Sequence, residues 1–177
     1  MRISWIDVET TGTEARKDDL LQVACIVTDG DLNILDEKGY TAEIYYSEED
    51  VAILQNHTSP YVLNMHSATS LWDKLPLGKP LETVDVELQS YLANFSEEGK
   101  SYLGGNSITL DRNFINEYLP KSGAYLSYRS VDVSSFAIVA EEWYNGLYFE
   151  KSYLHDAMSD IKESIEQLKF FRKKIFK

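Results

Sequence analysis

The stretch WIDVETTG, Trp5 to Gly12, constrains this chain more than any other. Ile3, Trp5, Ile6 and Val8 are strand formers, so the segment reads as a buried strand. In a strand, residues i and i+2 point to the same face. Asp7 and Glu9 therefore stand side by side. Two adjacent carboxylates in a buried strand are costly unless a cation joins them. A fold that keeps this strand central must place something positive at its end.

The rest of the chain fits a compact α/β protein. Its 177 residues, 44% hydrophobic and 26% charged, suffice for one domain spanning 1–177 with a full core. The N-terminus MRISWIDVET enters a strand at once, so no secretory signal is expected. No apolar run approaches the ~18 residues of a membrane span. The single Cys25 lies in the core-like run LLQVACIVTD and suits a reducing, cytoplasmic setting as a packing residue. Net charge is −12 with a pI of about 4.6, which argues against gripping a long nucleic acid through its phosphates. A ligand with few phosphates remains compatible, because bound cations and a few local donors can hold it.

Three strand-like runs, ISWIDVE, LLQVACIVTD and KGYTAEIYY, are joined by turns, including the turn-rich DGDLN, and predict an antiparallel meander. Ser47 and Asp50 form a capping-box pattern ahead of a helix. SPYVLNMHSATSLWDKL reads as irregular to helical, and ETVDVELQSYLANF has apolar residues at helical spacing. KSYLGGNS predicts a short strand, LDRNFINEYLP a helix closed before Pro120, and YLSYRSVDVSSF a strand running into a helix. HDAMSDIKESIEQLKFFRKKIF predicts a long amphipathic helix with Ile161, Ile165, Leu168 and Phe171 or Arg172 along one face. Its basic end complements the helix dipole. The order predicts an α/β domain with a mixed central sheet flanked by helices.

With 29 acidic residues, clusters arise by chance, so position decides. Asp111 opens a helix after a short strand, and Asp160 lies one turn into the last helix, behind His155. Asp7, Glu9, Asp111 and Asp160 from three distant segments would make an oxygen-rich site suited to Mg²⁺ or Mn²⁺. No Cys/His spacing suits structural zinc.

At these residues the chain resembles a family. DVETTG, GNSITLDRNF and HDAMSD are similar to the three motifs of the DEDD exonucleases, in the subgroup whose third motif carries a histidine. The spacing along nearly the whole chain resembles the oligoribonucleases. The resemblance implies an RNase H-like fold and two divalent cations, Mg²⁺ or Mn²⁺, held by Asp7, Glu9, Asp111 and Asp160. It implies His155 as general base, with Asp156 read as a first-turn helix charge. It also implies 3′-to-5′ cleavage of very short RNA, chiefly dinucleotides, by a homodimer.

By position, Thr10, Thr13, Tyr61, His66, Asn106, Ser107 and Ser134 match the family's substrate side. Ser107 and Ser134 resemble the family's residues at the 5′-phosphate end. Tyr128 and Arg129 match the pair that reaches into the partner's active site. Thr13 stands where the family has a leucine wedged between the bases, and Tyr61 where it has tryptophan. Tyr61 retains a stacking face, whereas Thr13 weakens the wedge. Two other readings stay open: a related exonuclease acting on DNA or tRNA 3′ ends, which the charge disfavours, and a non-catalytic nucleotide-binding homologue, which the complete acidic set disfavours.

Overall fold

A computed structural model describes residues 1–150 and 156–175. Among the described residues, five strands form one mixed sheet: β1 (Arg2–Thr10), β2 (Leu20–Thr28), β3 (Tyr40–Glu43), β4 (Ser101–Gly105) and β5 (Ser130–Asp132). Their order is β3-β2-β1-β4-β5. β1, β2 and β3 pair antiparallel, as the meander pattern predicts, while β1/β4 and β4/β5 are parallel.

The helices are α1 (Glu48–His57), α2 (Pro60–Ala68), α3 (Leu71–Lys74), α4 (Leu81–Ala93), α5 (Thr109–Tyr118), α6 (Pro120–Tyr125), α7 (Val133–Trp143) and α8 (Ala157–Ile175). The Ser47–Asp50 capping box forms as the sequence predicts. The helix before Pro120 ends at Tyr118, but a second helix starts with Pro120 in its first turn, where a missing N–H costs nothing. Asp85 of α4 secures that start. Its buried carboxylate accepts from the amides of Lys121 and Ser122, at 3.0 and 2.9 Å, and from the Ser122 hydroxyl. The strand expected across YLSYRSVDVSSF shrinks to Ser130–Asp132, because the segment from Pro120 to Tyr125 is helical and Asp132 already caps α7.

β1 is buried on both faces, which explains its near-continuous apolar character. Ile3 and Trp5 join Ala24 and Ile26 in a core with residues of α7 and α8. Ile6 and Val8 join Val23, Cys25 and Val27 in a second core with residues of α4 and α5. Trp5 donates from Nε1 to the Thr28 hydroxyl at 2.9 Å. β4 lies so close that a Cβ on Gly104 would stand 2.5 Å from Ile3 Cγ2. Cys25 is fully buried in the core, and burial pushes its thiol pKa up, as befits a packing residue. On α8, Ile161, Ile165, Leu168 and Phe171 are buried; Arg172 instead faces solvent and meets Asp31 at 2.8 Å.

Candidate active site

The site forms at the end of β1. Asp7 and Glu9 share a strand face with Ile3 and Trp5, the face that packs on α8. That alignment brings them to Asp160 in the first turn of α8. One carboxylate oxygen from each of Asp7, Glu9 and Asp160 lies within 4.8 Å of the other two. Asp156 starts α8 by accepting from the Ser159 amide at 3.1 Å and its hydroxyl at 2.8 Å, a capping role that matches the expected first-turn charge.

Asp111 arrives from the other layer, in the first turn of α5. It is buried, and Oδ1 accepts from the Val8 amide at 3.1 Å. Val8 lies between Asp7 and Glu9, so this bond ties the third segment directly to the carboxylate strand. The pairing of β1 with β2 slips between Glu9 and Thr10. Irregularities of this kind re-aim side chains at strand ends.

The charges repel. Burial, then Asp111, Glu9 and Asp160, hold the Asp7 carboxyl well above the usual range. Burial, followed by Asp160, Asp156 and Asp111, pushes Glu9 from 4.5 to about 8. Burial also raises Asp111, against the lowering effect of the Val8 hydrogen bond. Oxygen donors from three segments, held together against both desolvation and mutual repulsion, fit a hard divalent cation.

This arrangement predicts a pH dependence of stability. Carboxyls with raised folded pKa values keep protons that the unfolded chain releases. Their stabilisation is fully present below about pH 4.5 and is lost as pH rises through about 8. The metal-free protein should therefore melt at falling temperature across that window, and Mn²⁺ should remove the fall. A melting temperature that is flat or rising with pH, measured by calorimetry in chelator, would contradict the repulsive cluster.

The other expected residues fall into two groups around this centre. His66 on α2 is fully buried: Nε2 lies 2.9 Å from the Thr10 carbonyl and Nδ1 lies 3.8 Å from Glu9 Oε2. Thr10 donates from its hydroxyl to the Gly12 carbonyl at 2.6 Å. Tyr61, at 71% exposure, is not spent on helix packing and leaves its ring open. Thr13 lines a polar hollow of about 540 Å³ with Arg16, Asn113 and Asn116.

Asn106, Ser107 and Ser134 line a cleft of about 280 Å³ together with Tyr148, Phe149 and Gln167. Asn106 donates to the Ser164 hydroxyl at 2.8 Å. Ser107 has φ of +53°, an uncommon conformation for a non-glycine residue. Its amide points to Asp132 Oδ1 at 3.0 Å and to Ser134 Oγ at 3.1 Å. Asp132, which sequence reasoning missed, thus organises the cleft; its signal was the aspartate directly before a helix. Tyr128 and Arg129 project into solvent, with Arg129 Nε donating to the Tyr128 hydroxyl at 3.0 Å. His155 lies outside the described residues.

The geometry agrees with what the chain is similar to. An exonuclease family model, RNase T, matches residues 4–168. An oligoribonuclease of Dichelobacter nodosus is 36% identical over 174 residues, covering 97% of this chain and 93% of that protein. Another, of Streptomyces avermitilis, is 39% identical over 180 residues, covering 99% and 87%. The chain belongs to the oligoribonuclease family. Among solved structures, exonuclease I of Methylocaldum szegediense superposes with a TM-score of 0.73 at 18% identity. That match covers 98% of this chain and 41% of the longer exonuclease, and it shows the RNase H-like fold. Membership of the oligoribonuclease family agrees with the acidic centre, since the exonuclease family is metal-dependent.

Proposed function

We propose that this chain is a 3′-to-5′ exoribonuclease, a single domain over residues 1–177, that hydrolyses short oligonucleotides, dinucleotides above all, to 5′-mononucleotides. The convergence of Asp7, Glu9 and Asp160 on one point, with Asp111 fastened to the same strand, carries this reading. Asp7, Glu9, Asp111 and Asp160 would hold two divalent cations, Mg²⁺ or Mn²⁺. When bound, such ions supply Lewis acidity to the scissile phosphate and the departing 3′ oxygen, and make water acidic enough to attack.

The chain's own groups then divide the work. His155 takes the proton from the attacking water, a task its ordinary pKa near ~6.5 suits. The water oxygen bonds to phosphorus, the bond to the 3′ oxygen breaks, that oxygen takes a proton from solvent to become a 3′-hydroxyl, and a nucleoside 5′-monophosphate leaves. His66 and Thr10 support the strand end that carries Glu9. Tyr61 offers a stacking face to a base. Asn106, Ser107 and Ser134 receive the 5′ phosphate, which closes the site to longer strands. That closure lets a protein of net charge −12 select a nucleotide without a long basic track.

The enzyme works as a homodimer in which Tyr128 and Arg129 reach the partner's site, a role their exposure permits. No helix among the described residues is long and apolar enough to cross a membrane. With its lone buried cysteine, the enzyme suits the cytoplasm.

Labelled RNA and DNA, from dinucleotides to strands of about twenty nucleotides, test the reading in Mn²⁺. RNA dinucleotides should turn over fastest, with label leaving from the 3′ end as 5′-monophosphate. Equal rates on long strands, or a clear preference for DNA, would move the enzyme to another exonuclease class.

A further inference from the structure

Tyr128 and Arg129 are exposed, yet the ends of their short segment are fixed. The Ser127 amide donates to the Ser101 carbonyl at 2.8 Å. Arg112 Nη2 donates to the Ser127 carbonyl at 2.9 Å and lies 3.1 Å from the Ser130 hydroxyl. One guanidinium nitrogen thus grips both sides of the projecting pair. Arg112 is half-buried, so its side chain is confined, and it follows Asp111 directly in α5. A planar guanidinium sets direction as well as distance, which an ammonium does not.

We propose that Arg112 is a positioning residue for substrate binding: it holds the Tyr128–Arg129 limb where it can serve the partner's active site. The inference rests on the reading of that limb as part of a shared site. It gives α5 two duties. Asp111 completes the acidic centre of its own chain, and Arg112 aims a limb at the other.

Substrate affinity should suffer without chemistry changing. Arg112→Ala should raise KM for a 5′-phosphorylated dinucleotide about tenfold, the cost of losing one charge-assisted contact, with kcat and Mn²⁺ affinity near wild type. Arg112→Lys, which keeps the charge without the fork, should fall between, and it carries the test should the alanine variant not fold.

Isolated heterodimers of Asp111→Asn and Arg112→Ala (or Lys) subunits decide the question. Their one competent acidic centre belongs to the Arg112 variant and receives its limb from the Asp111→Asn subunit, whose Arg112 is intact. Wild-type KM in this heterodimer is the expected result. A KM that stays raised, or an Arg112 variant homodimer with unchanged KM, overturns the proposal. Arg129→Ala separates the two levels. If it leaves KM unchanged, the shared-site reading fails as well; if it raises KM while Arg112→Ala does not, only the role of Arg112 fails.

Discussion

Asp7→Asn and Asp111→Asn should each lower turnover by about 10³-fold or more, while the protein stays folded. Lewis acidity at a phosphoryl centre is worth several kcal/mol, and ~4 kcal/mol is a thousandfold in rate. Either substitution removes one anionic donor from the set. The fold survives for reasons the site makes plain. An asparagine at 111 still offers an oxygen to the Val8 amide. An asparagine at 7 removes a carboxyl whose ionisation burial, Asp111, Glu9 and Asp160 all oppose. Without metal, Asp7→Asn should thus melt at or above the wild-type temperature near neutral pH. Steady-state turnover on a labelled dinucleotide, read beside a melting curve, checks both halves. Full activity in either variant would remove the acidic cluster from the chemistry.

His155→Ala should slow turnover by ~10² to 10⁴, the range for losing a general base. Mn²⁺ affinity should persist, because the proposed ligands are carboxylates elsewhere in the chain. The acid limb of the kcat profile should also flatten, since the group that must lose its proton is gone. Loss of Mn²⁺ binding in this variant, measured by titration calorimetry, would make His155 a ligand instead of a base.

The centre of the fold was legible because periodicity and chemistry agreed there. Alternation in β1 put Asp7 and Glu9 on one face, and helical spacing in α8 buried Ile161, Ile165, Leu168 and Phe171 while turning Asp160 to the strand end. Between Phe171 and Arg172 the pattern left a choice, and the ion pair with Asp31, remote in sequence, belongs to the solvent side. What stayed hidden depends on contacts between distant segments. Nothing local marks Asp85 as the anchor of α6, or Arg112 as the grip on the Tyr128 limb. The strand expected from Tyr125 to Phe136 survives only as Ser130–Asp132, between the end of α6 at Tyr125 and the Asp132 cap of α7. Tyr61 and His66 show the converse. Both lie on α2 in one short motif, yet one ring is open to solvent and the other wholly buried against Thr10 and Glu9.

Titration of Mn²⁺ into metal-free protein at neutral pH, in buffers of different ionisation enthalpy, probes the acidic centre most directly. Burial and mutual repulsion raise these carboxyl pKa values, that of Glu9 to about 8, so protons should compete with a cation for the site. Mn²⁺ binding should therefore release protons, saturate at two ions per chain, and weaken sharply in Asp7→Asn. Binding without proton release, or equal affinity in wild type and Asp7→Asn, would contradict a metal site built from these carboxylates.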